Sequence, residues 1–540
     1  MKFLCRKIFS IFILIGLVGS SCGKRPTRVE HGNREQILHY GNGAEVQDLD
    51  PHLVTGVPEH HIITALLEGL VSEDPHDLHP IPGVAERWEI SSDQKTYTFF
   101  LRKNARWSNG QPVTARDFAE SYQRMLSPGL ASEYAYMLHV MKGAEDYNTG
   151  KIKNFDQVGV KALDDYKLEI QLNNPTPYFL SLLNHYSWYP VHIPTVKKYG
   201  PLYERGNRWT LPKNFVGNGP FTLTDWKLNQ VIIVKKSPTF WDAEKVRLKQ
   251  IYFYAMESDD SEERAFRSGQ IHLTTSVPLS KIDVYKKNRP EIIRQDPYLG
   301  IYYYRVNVTK APMNDKRIRQ ALSMAIDREA IVKIIRGGQL PAYNFTPSTA
   351  GYTAATRIPY DIAGARKLLA QAGYPDGKNL PPVEILFNTL EAHRTIAEAV
   401  QQMWKNNLHI DARLVNQEWK VYLDSQRQLN YQVCRAAWIG DYPDPNSFLD
   451  MWLTAGGNNQ TGWSNAEYDR LIKQASEAGD QEKRYAIFQK AEALLLDEMP
   501  VIPIYFYTRV YLIQPTVKGW FPNILDSHPY KYVYLESPQK

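Results

Sequence analysis

The chain has 540 residues, enough for three or four domain-sized units or for one large body with several lobes. Its composition, 43% hydrophobic and 23% charged, is that of a soluble globular protein with a sizeable core. Without the three N-terminal cations Lys2, Arg6 and Lys7, 61 basic residues face 58 acidic ones with no basic, aromatic-interleaved stripe, which argues against nucleic-acid binding.

The N-terminus has the pattern of a bacterial export signal. A basic start is followed by an apolar run over residues 8–18 and by small residues before Cys22. The run is too short to span a bilayer as a mature helix. We therefore expect a signal peptide at 1–21 and a polar tether at 22–36. Cys22 resembles the lipid-bearing cysteine of a bacterial lipoprotein, although Gly19 is unusual there, and simple cleavage is the alternative.

Strands and helices alternate through the rest of the chain, which indicates a mixed α/β protein. Thr114 or Asp117 can cap one predicted helix, and Asn314 or Asp315 another. A loop is expected up to the histidine pair that follows Pro58. Strands are predicted at 37–41, 96–103, 167–172, 219–229, 230–241, 251–257, 409–415, 501–508 and 511–515, and helices at 117–126, 314–326 and 396–404.

The stretch 435–449, RAAWIGDYPDPNSFL, combines an arginine, an aromatic residue and acids beside a predicted strand. The strand from Tyr431 should end near Arg435 to Trp438, because the prolines that follow cannot extend a ladder. Asp441 is then either a turn or capping residue or the partner of a ligand ammonium group. Asp444 is the better cap for a helix that begins at Asn446, which leaves Asp441 free for function.

These residues resemble the peptide-binding loop of the oligopeptide-binding proteins, the extracytoplasmic receptors of ABC importers. The resemblance extends over nearly everything after about residue 36. It is carried by the stretches 42–59, 101–118, 302–322, 360–374, 415–424 and 438–449, in the order that the family has them.

The resemblance implies an α/β fold of the class II periplasmic binding protein type, with two main lobes, a hinge and an extra small α/β lobe. Lobe I would comprise 37–67, 195–299 and 509–540, the small lobe 68–194, and the second main lobe 300–508. Cys434 would have no intrachain partner once Cys22 is acylated and Cys5 is removed. Gly300 and Ile439 replace a disulfide found in relatives, so the binding loop is expected to be more mobile.

For the site, the resemblance implies a receptor for the ends and the backbone of a short peptide. Asp441 would bind the amino terminus. The backbone would pair with two sets of main-chain groups by strand addition. These belong to Val57, Thr275, Ser276 and Val277 on one lobe, and to Ala436, Ala437 and Trp438 on the other.

Arg435, His393 and Arg336 correspond to positions that read the carboxylate end of the peptide. Gln426 and Thr55 replace charged residues of some relatives, which leaves peptide length open and allows a murein-derived peptide. His393, taken alone, would be an ordinary surface histidine.

Aromatic residues are candidates for the cleft walls. Trp438 is either a pocket wall or a core residue, and Tyr134 and Tyr298 are expected at the cleft. Tyr302 and Tyr304 share one strand face and Tyr303 takes the other, so one of these two sets belongs to the core; we assign Tyr303 to the cleft.

The predicted function is a periplasmic receptor, without enzymatic activity, cofactor or metal, that delivers peptides of about two to five residues to an inner-membrane ABC permease. It is expected to be monomeric and lipid-anchored through Cys22. A murein-peptide receptor and a nickel or haem carrier of the same fold are the alternatives. The early histidines, among them His60 and His61, lack any fixed metal-ligand spacing.

Overall fold

The computed structural model describes residues 26–537, so the expected signal peptide and Cys22 lie outside the described residues. Three larger sheets and two strand pairs form the framework. One four-stranded sheet has the order Ile37–Gly41, Gln250–Tyr254, Val231–Lys236, Phe221–Lys227. Another has the order Ala85–Ile90, Thr96–Leu101, Lys167–Gln171, Val160–Asp164. The strand pairs are Val71–Glu73 with Pro80–Pro82, and Val517–Lys518 with Tyr534–Leu535.

A six-stranded mixed sheet forms the centre of the second main lobe. Its order is Leu340–Pro341, Val501–Leu512, Ile293–Val306, Val433–Ile439, Val383–Asn388, Ala412–Gln417. The second and third of these strands pair antiparallel over most of their length, with a register shift between Pro297 and Ile301. The lobe borders predicted near 299 and 508 remain a proposal, and the shift supports them because a bulge bends a strand locally.

Helices pack against these sheets. They are Arg28–Glu35, Val57–Leu66, Ala115–Leu126, Ala144–Asn148, Phe179–Leu182, Ile193–Tyr199, Asp259–Arg267, Ile282–Asn288, Lys316–Met324, Arg328–Ile335, Ile362–Gln371, Glu391–Leu408, Trp419–Arg427, Asn446–Leu449, Ala466–Glu477 and Gln481–Glu498. None of the helices within 26–537 is long and apolar enough to cross a membrane.

Helix ends follow local capping chemistry. Thr114 and Asp117 form a reciprocal capping box, so both predicted candidates are used at that helix. The carboxylate of Asp315 accepts from the backbone N–H of Arg317 and caps the helix Lys316–Met324, which makes Asp315 rather than Asn314 the cap.

Two helices replace segments that were predicted to lack regular structure. Arg28–Glu35 is a helix within the expected tether, begun by a capping box of Thr27 and Glu30, so the tether prediction is wrong for these residues. Val57–Leu66 is a helix where a loop was expected, with Pro58 in its first turn. Pro58 is tolerated there because the first N–H groups of a helix have no partner within it.

Candidate functional site

A cavity of about 450 Å³ lies between the two main lobes. This volume is within the range of small-ligand sites. One side is lined by the strand Val433–Ile439 and by the exit loop, residues 440–445, that follows it. The other side is lined by the start of the helix Val57–Leu66.

Asp441 lies in this cavity, where the exit loop leaves the strand Val433–Ile439. Its backbone N–H donates to Ser447 Oγ at 2.8 Å, which fixes the loop, and its side chain is 9% exposed. Tyr134 Oη donates to Asp441 Oδ1 at 3.4 Å and Ser447 Oγ to Oδ2 at 3.5 Å. Both contacts are long for O–H···O⁻ bonds, so they satisfy the carboxylate weakly.

The nearest ring nitrogen is His185 Nε2, 3.3 Å from Asp441 Oδ1. The backbone N–H of Ser187 donates to Nδ1 of the same ring, so the proton of a neutral imidazole belongs on Nε2, facing Asp441. Burial lowers the pKa of His185 well below its usual value and raises the pKa of Asp441 to about 8. Within residues 26–537, neither a lysine nor an arginine forms an ion pair with Asp441. The arrangement is therefore a buried carboxylate that lacks a cation.

We expect this missing cation to be visible in the stability of the ligand-free protein. The pKa of Asp441 is raised from 3.8 to about 8, so its protonated form favours the folded state at low pH, and this contribution is lost as the pH rises toward about 8. Asp441→Asn, neutral at all pH values, should therefore gain stability relative to the natural chain between about pH 5 and pH 8. Thermal unfolding of both proteins across this range, without peptide, measures the difference. A constant difference would contradict an uncompensated buried carboxylate.

The exit loop is braced by an ion pair. Arg484 donates from both terminal nitrogens to the carboxylate of Asp444, at 2.8 and 2.6 Å, and both side chains are buried. Asp444 also accepts from the backbone N–H of Asn446 at 2.9 Å, although the N-cap residue of the helix Asn446–Leu449 is Pro445 rather than Asp444. Gly300 and Ile439 lie opposite each other in the sheet without a covalent link. The brace opposes the greater loop mobility that was predicted from the absence of a disulfide.

A buried cation occupies another part of the same cavity. Arg435 donates to Tyr507 Oη at 3.0 Å and to Asn388 Oδ1 at 3.3 Å, and its guanidinium lies 5.0 Å from the centre of the Tyr302 ring. No carboxylate in the described part of the chain forms an ion pair with it. His393 lines the cavity beside Arg435, and its buried Nδ1 has no hydrogen-bond partner in the described structure. Together they offer unused donor capacity for an anion.

Arg336 differs from its prediction, because the structure places it outside the cavity. It follows the helix Arg328–Ile335 with a left-handed backbone, and its exposed side chain pairs with Asp283 at 3.2 Å. The neighbouring Ile335 and Gln339 line the cavity instead. A contact between Arg336 and a ligand in this cavity is not supported by the geometry.

Main-chain groups predicted to hold a peptide all line the cavity, but not all are free. Ala436, Ala437 and Trp438 pair with one neighbouring strand, whereas the strand on their other side pairs only with Val433 and Cys434. Beyond Cys434, the main-chain groups of the strand Val433–Ile439 on that side are therefore left unpaired by the neighbouring strand. Such an unpaired edge can accept an added extended chain.

The opposite set of main-chain groups is partly used by the protein. The N–H groups of Thr275 and Ser276 donate to the carboxylate of Glu262 at 3.0 and 3.3 Å, and Arg509 donates to the carbonyl of Thr275. Val277 and Val57 line the cavity without such contacts. The N–H groups of Thr275 and Ser276 are therefore not available to a peptide, which differs from the prediction.

The predicted aromatic residues divide between cavity and core. Tyr134, Tyr298 and Trp438 line the cavity, and the indole N–H of Trp438 donates to the carbonyl of Ser447 at 2.6 Å. Tyr303 packs edge-on against Phe345 and Trp452 and is fully buried away from the cavity, so its assignment to the cleft is wrong. Its strand is covered on both faces, and for that reason alternation could not separate core from cleft.

Two substitutions noted in the sequence also lie at the cavity. Gln426 donates to Tyr422 Oη at 2.8 Å and to the carbonyl of Arg435 at 3.2 Å, so this neutral residue supports the strand that carries Arg435. Thr55 lines the wall near Val57.

His185 and Glu73 were missed as cavity residues by sequence reasoning. His185 lies in a turn 256 positions before Asp441, and nothing in the residues around it points to a ligand.

Within the described residues, one group of side chains could hold a metal ion: Asp74, Asp77 and His79. Asp77 and His79 are exposed and pair with each other, and none of the three lines the cavity.

Comparison with known proteins gives consistent matches. Residues 79–460 match the family described as bacterial extracellular solute-binding proteins, family 5 Middle. The chain is 38% identical to the periplasmic oligopeptide-binding protein OppA of Salmonella typhimurium, over 98% of each protein. It is similar to the structure of the Escherichia coli murein tripeptide binding protein MppA, with a TM-score of 0.88 and 36% identity, over 92% of this chain and 98% of that one.

The conformation is closer to that structure than to the unliganded open form of the same protein. The open form gives a TM-score of 0.61 at the same 36% identity, over 93% of this chain and 97% of that one. Since the two forms share a sequence, the difference reflects how the lobes are arranged.

Proposed function

Because the chain belongs to family 5 of the bacterial extracellular solute-binding proteins, we propose that it is a receptor that binds short peptides outside the cytoplasm and delivers them to an ABC importer. One observation carries the proposal. A single cavity holds a buried carboxylate, Asp441, and a buried guanidinium, Arg435, on either side of a partly unpaired strand edge, and neither has an ion-pair partner among the residues that the structure describes.

This arrangement is complementary to a zwitterionic peptide. The ammonium group would pair with Asp441, and the carboxylate with Arg435 and His393. Each pair compensates a charge whose burial alone costs several kcal/mol. The backbone would add to the edge at Ala436 to Trp438 and reach Val277 and Val57 on the other lobe. Specificity for peptide termini, rather than for one sequence, follows from contacts made to groups that all peptides share.

Closure of the two main lobes completes the site. Tyr134 and His185, which belong to the predicted small lobe, contact Asp441 of the second main lobe, so its carboxylate is enclosed only when the lobes are together. Closure excludes water and strengthens both terminal ion pairs because the effective dielectric constant falls. The greater similarity to one of the two MppA conformations supports such an enclosed state.

The remaining features of the proposal are the location, the oligomeric state, the lipid anchor, the lack of enzymatic activity and the length of the ligand. The receptor would be periplasmic, monomeric, lipid-anchored through Cys22, non-enzymatic, and matched to peptides of about two to five residues. Two of its relatives, the OppA proteins of Salmonella typhimurium and Escherichia coli, are named as periplasmic oligopeptide-binding proteins. A murein-peptide receptor is the second candidate, favoured by the likeness to MppA and by the uncharged Gln426 in the cavity wall.

Native mass spectrometry of the purified protein tests the proposal. We expect bound species whose masses correspond to a mixture of short peptides, released on denaturation. Asp441→Asn, purified in the same way, should retain less of this material because the amino-terminal ion pair is lost. Peptides with cell-wall amino acids would select the murein alternative. A bound metal or haem, together with no calorimetric binding of added tripeptides, would contradict peptide binding.

A further inference from the structure

A second buried carboxylate, Glu73, lines the same cavity. It ends the short strand Val71–Glu73 and is only 3% exposed. Burial raises the pKa of Glu73 to about 7, while hydrogen bonds from the side chains of Ser527 and Asn184 partly offset this effect. No lysine or arginine in the part of the chain that the structure describes pairs with it. Its negative charge is therefore met only by neutral donors.

Glu68, five residues earlier, is a buried acid that has cations nearby. Its carboxylate accepts from the indole N–H of Trp241 at 2.5 Å; burial raises its pKa, and the nearby Lys531 and Arg102 partly offset this effect. Glu68 does not line the main cavity. Within the described residues, cations therefore lie near the acid outside the cavity, whereas none pairs with Glu73 inside it.

The nearby histidines do not supply the missing charge. His60 lines the cavity in this region, and burial lowers its pKa to about 4, so it is neutral near pH 7. His185 is likewise neutral because burial lowers its pKa well below the usual value.

Glu73 and Asp441 both line the cavity and are connected through two consecutive residues. Asn184, which donates to Glu73, directly precedes His185, whose ring contacts Asp441. The Cα atoms of consecutive residues are about 3.8 Å apart. Because Asn184 contacts Glu73 and His185 contacts Asp441, the two carboxylates belong to the same part of the cavity wall. A ligand whose ammonium group meets Asp441 would direct the side chains of its first residues toward this part of the cavity.

We propose that Glu73 determines specificity by binding a cationic side chain, an amine or a guanidinium, on one of the first two residues of the peptide. This inference rests on the proposed function. In the enclosed cavity a charge-assisted contact to Glu73 is stronger than in water. An apolar side chain of equal length would leave the carboxylate unpaired or force it to take up a proton. Peptides with lysine or arginine near the amino terminus are therefore preferred.

Isothermal calorimetry with matched tripeptides at pH 7.5 tests the assignment. Alanine tripeptides carrying lysine at position one, two or three are compared with the same peptides carrying norleucine. We expect lysine to bind about tenfold or more tightly than norleucine at position one or two, the effect of one charge-assisted hydrogen bond. Glu73→Gln should reduce this ratio to below about threefold, whereas Glu68→Gln, the matched control, should keep it.

Three results would overturn the assignment alone: equal binding of lysine and norleucine peptides, a lysine preference that survives Glu73→Gln, or a preference confined to position three. Failure of every tripeptide to bind the natural chain would instead overturn the proposed function, and the assignment with it. Thermal unfolding of both variants checks that they are folded at the temperature of the titration.

Discussion

Replacement of Arg484 by methionine is expected to lower the free energy of unfolding by about 3 to 5 kcal/mol, the cost of leaving one buried ion without its partner. Arg484 makes two bonds to Asp444, and both side chains are almost fully buried. The guanidinium also lies over the rings of Tyr178 and Phe488, so the substitution removes aromatic contacts as well. Peptide binding should weaken too, because Asp444 lies in the loop that positions Asp441.

Urea denaturation of the natural chain and the variant measures the loss of stability. Arg470→Met is a suitable control because Arg470 pairs with Glu467 on an exposed helix surface, where a single ion pair contributes little. The double variant Arg484→Met with Asp444→Asn should recover part of the loss, since no charge then remains buried alone. Equal stability of Arg484→Met and the control would show that the brace contributes nothing.

Asp441→Asn is expected to weaken the binding of short peptides by about 1.5 to 4 kcal/mol, roughly tenfold to a thousandfold in Kd. The amide has nearly the same shape but no charge, so the ligand ammonium group would be buried without its ion pair. Acetylation of the peptide amino terminus removes the other partner and should have a similar effect on the natural chain.

Calorimetry on the four combinations of protein and peptide separates this ion pair from general damage to the site. If Asp441 binds the ammonium group, acetylation should cost far less in Asp441→Asn than in the natural chain, because the two changes remove one interaction. Independent, additive losses would show that the amino terminus is bound elsewhere. Unchanged affinity in both single changes would exclude Asp441 from the site.

Local patterns in the sequence determined much of the secondary structure. Alternation predicted a strand at 96–103, observed as Thr96–Leu101. Apolar spacing predicted a helix at 396–404, which lies within the observed helix Glu391–Leu408, whose buried face includes Ile396, Val400 and Trp404. The helix Arg28–Glu35 could also have been predicted, because its capping box of Thr27 and Glu30 is visible in the sequence. Such features depend on neighbours within about one helical turn or one strand.

Family motifs in the sequence indicated the fold and the class of ligand, and the strand-and-proline pattern placed Asp441 at a strand exit. Only the tertiary structure decided which side chains face the cavity. It moved Arg336 to the surface and Tyr303 into the core, and it showed that Glu262 occupies the N–H groups of Thr275 and Ser276.

The charges without partners were also visible only in three dimensions. Asp444 and Asp441 are three residues apart, yet Arg484 pairs with the first, whereas no lysine or arginine within residues 26–537 pairs with the second. Glu68 has Lys531 and Arg102 nearby, whereas no lysine or arginine within the described residues pairs with Glu73. The sequence alone determined where acids and bases occur along the chain. Folding decided which of them are compensated, because burial and ion pairing depend on contacts between residues that can be hundreds of positions apart.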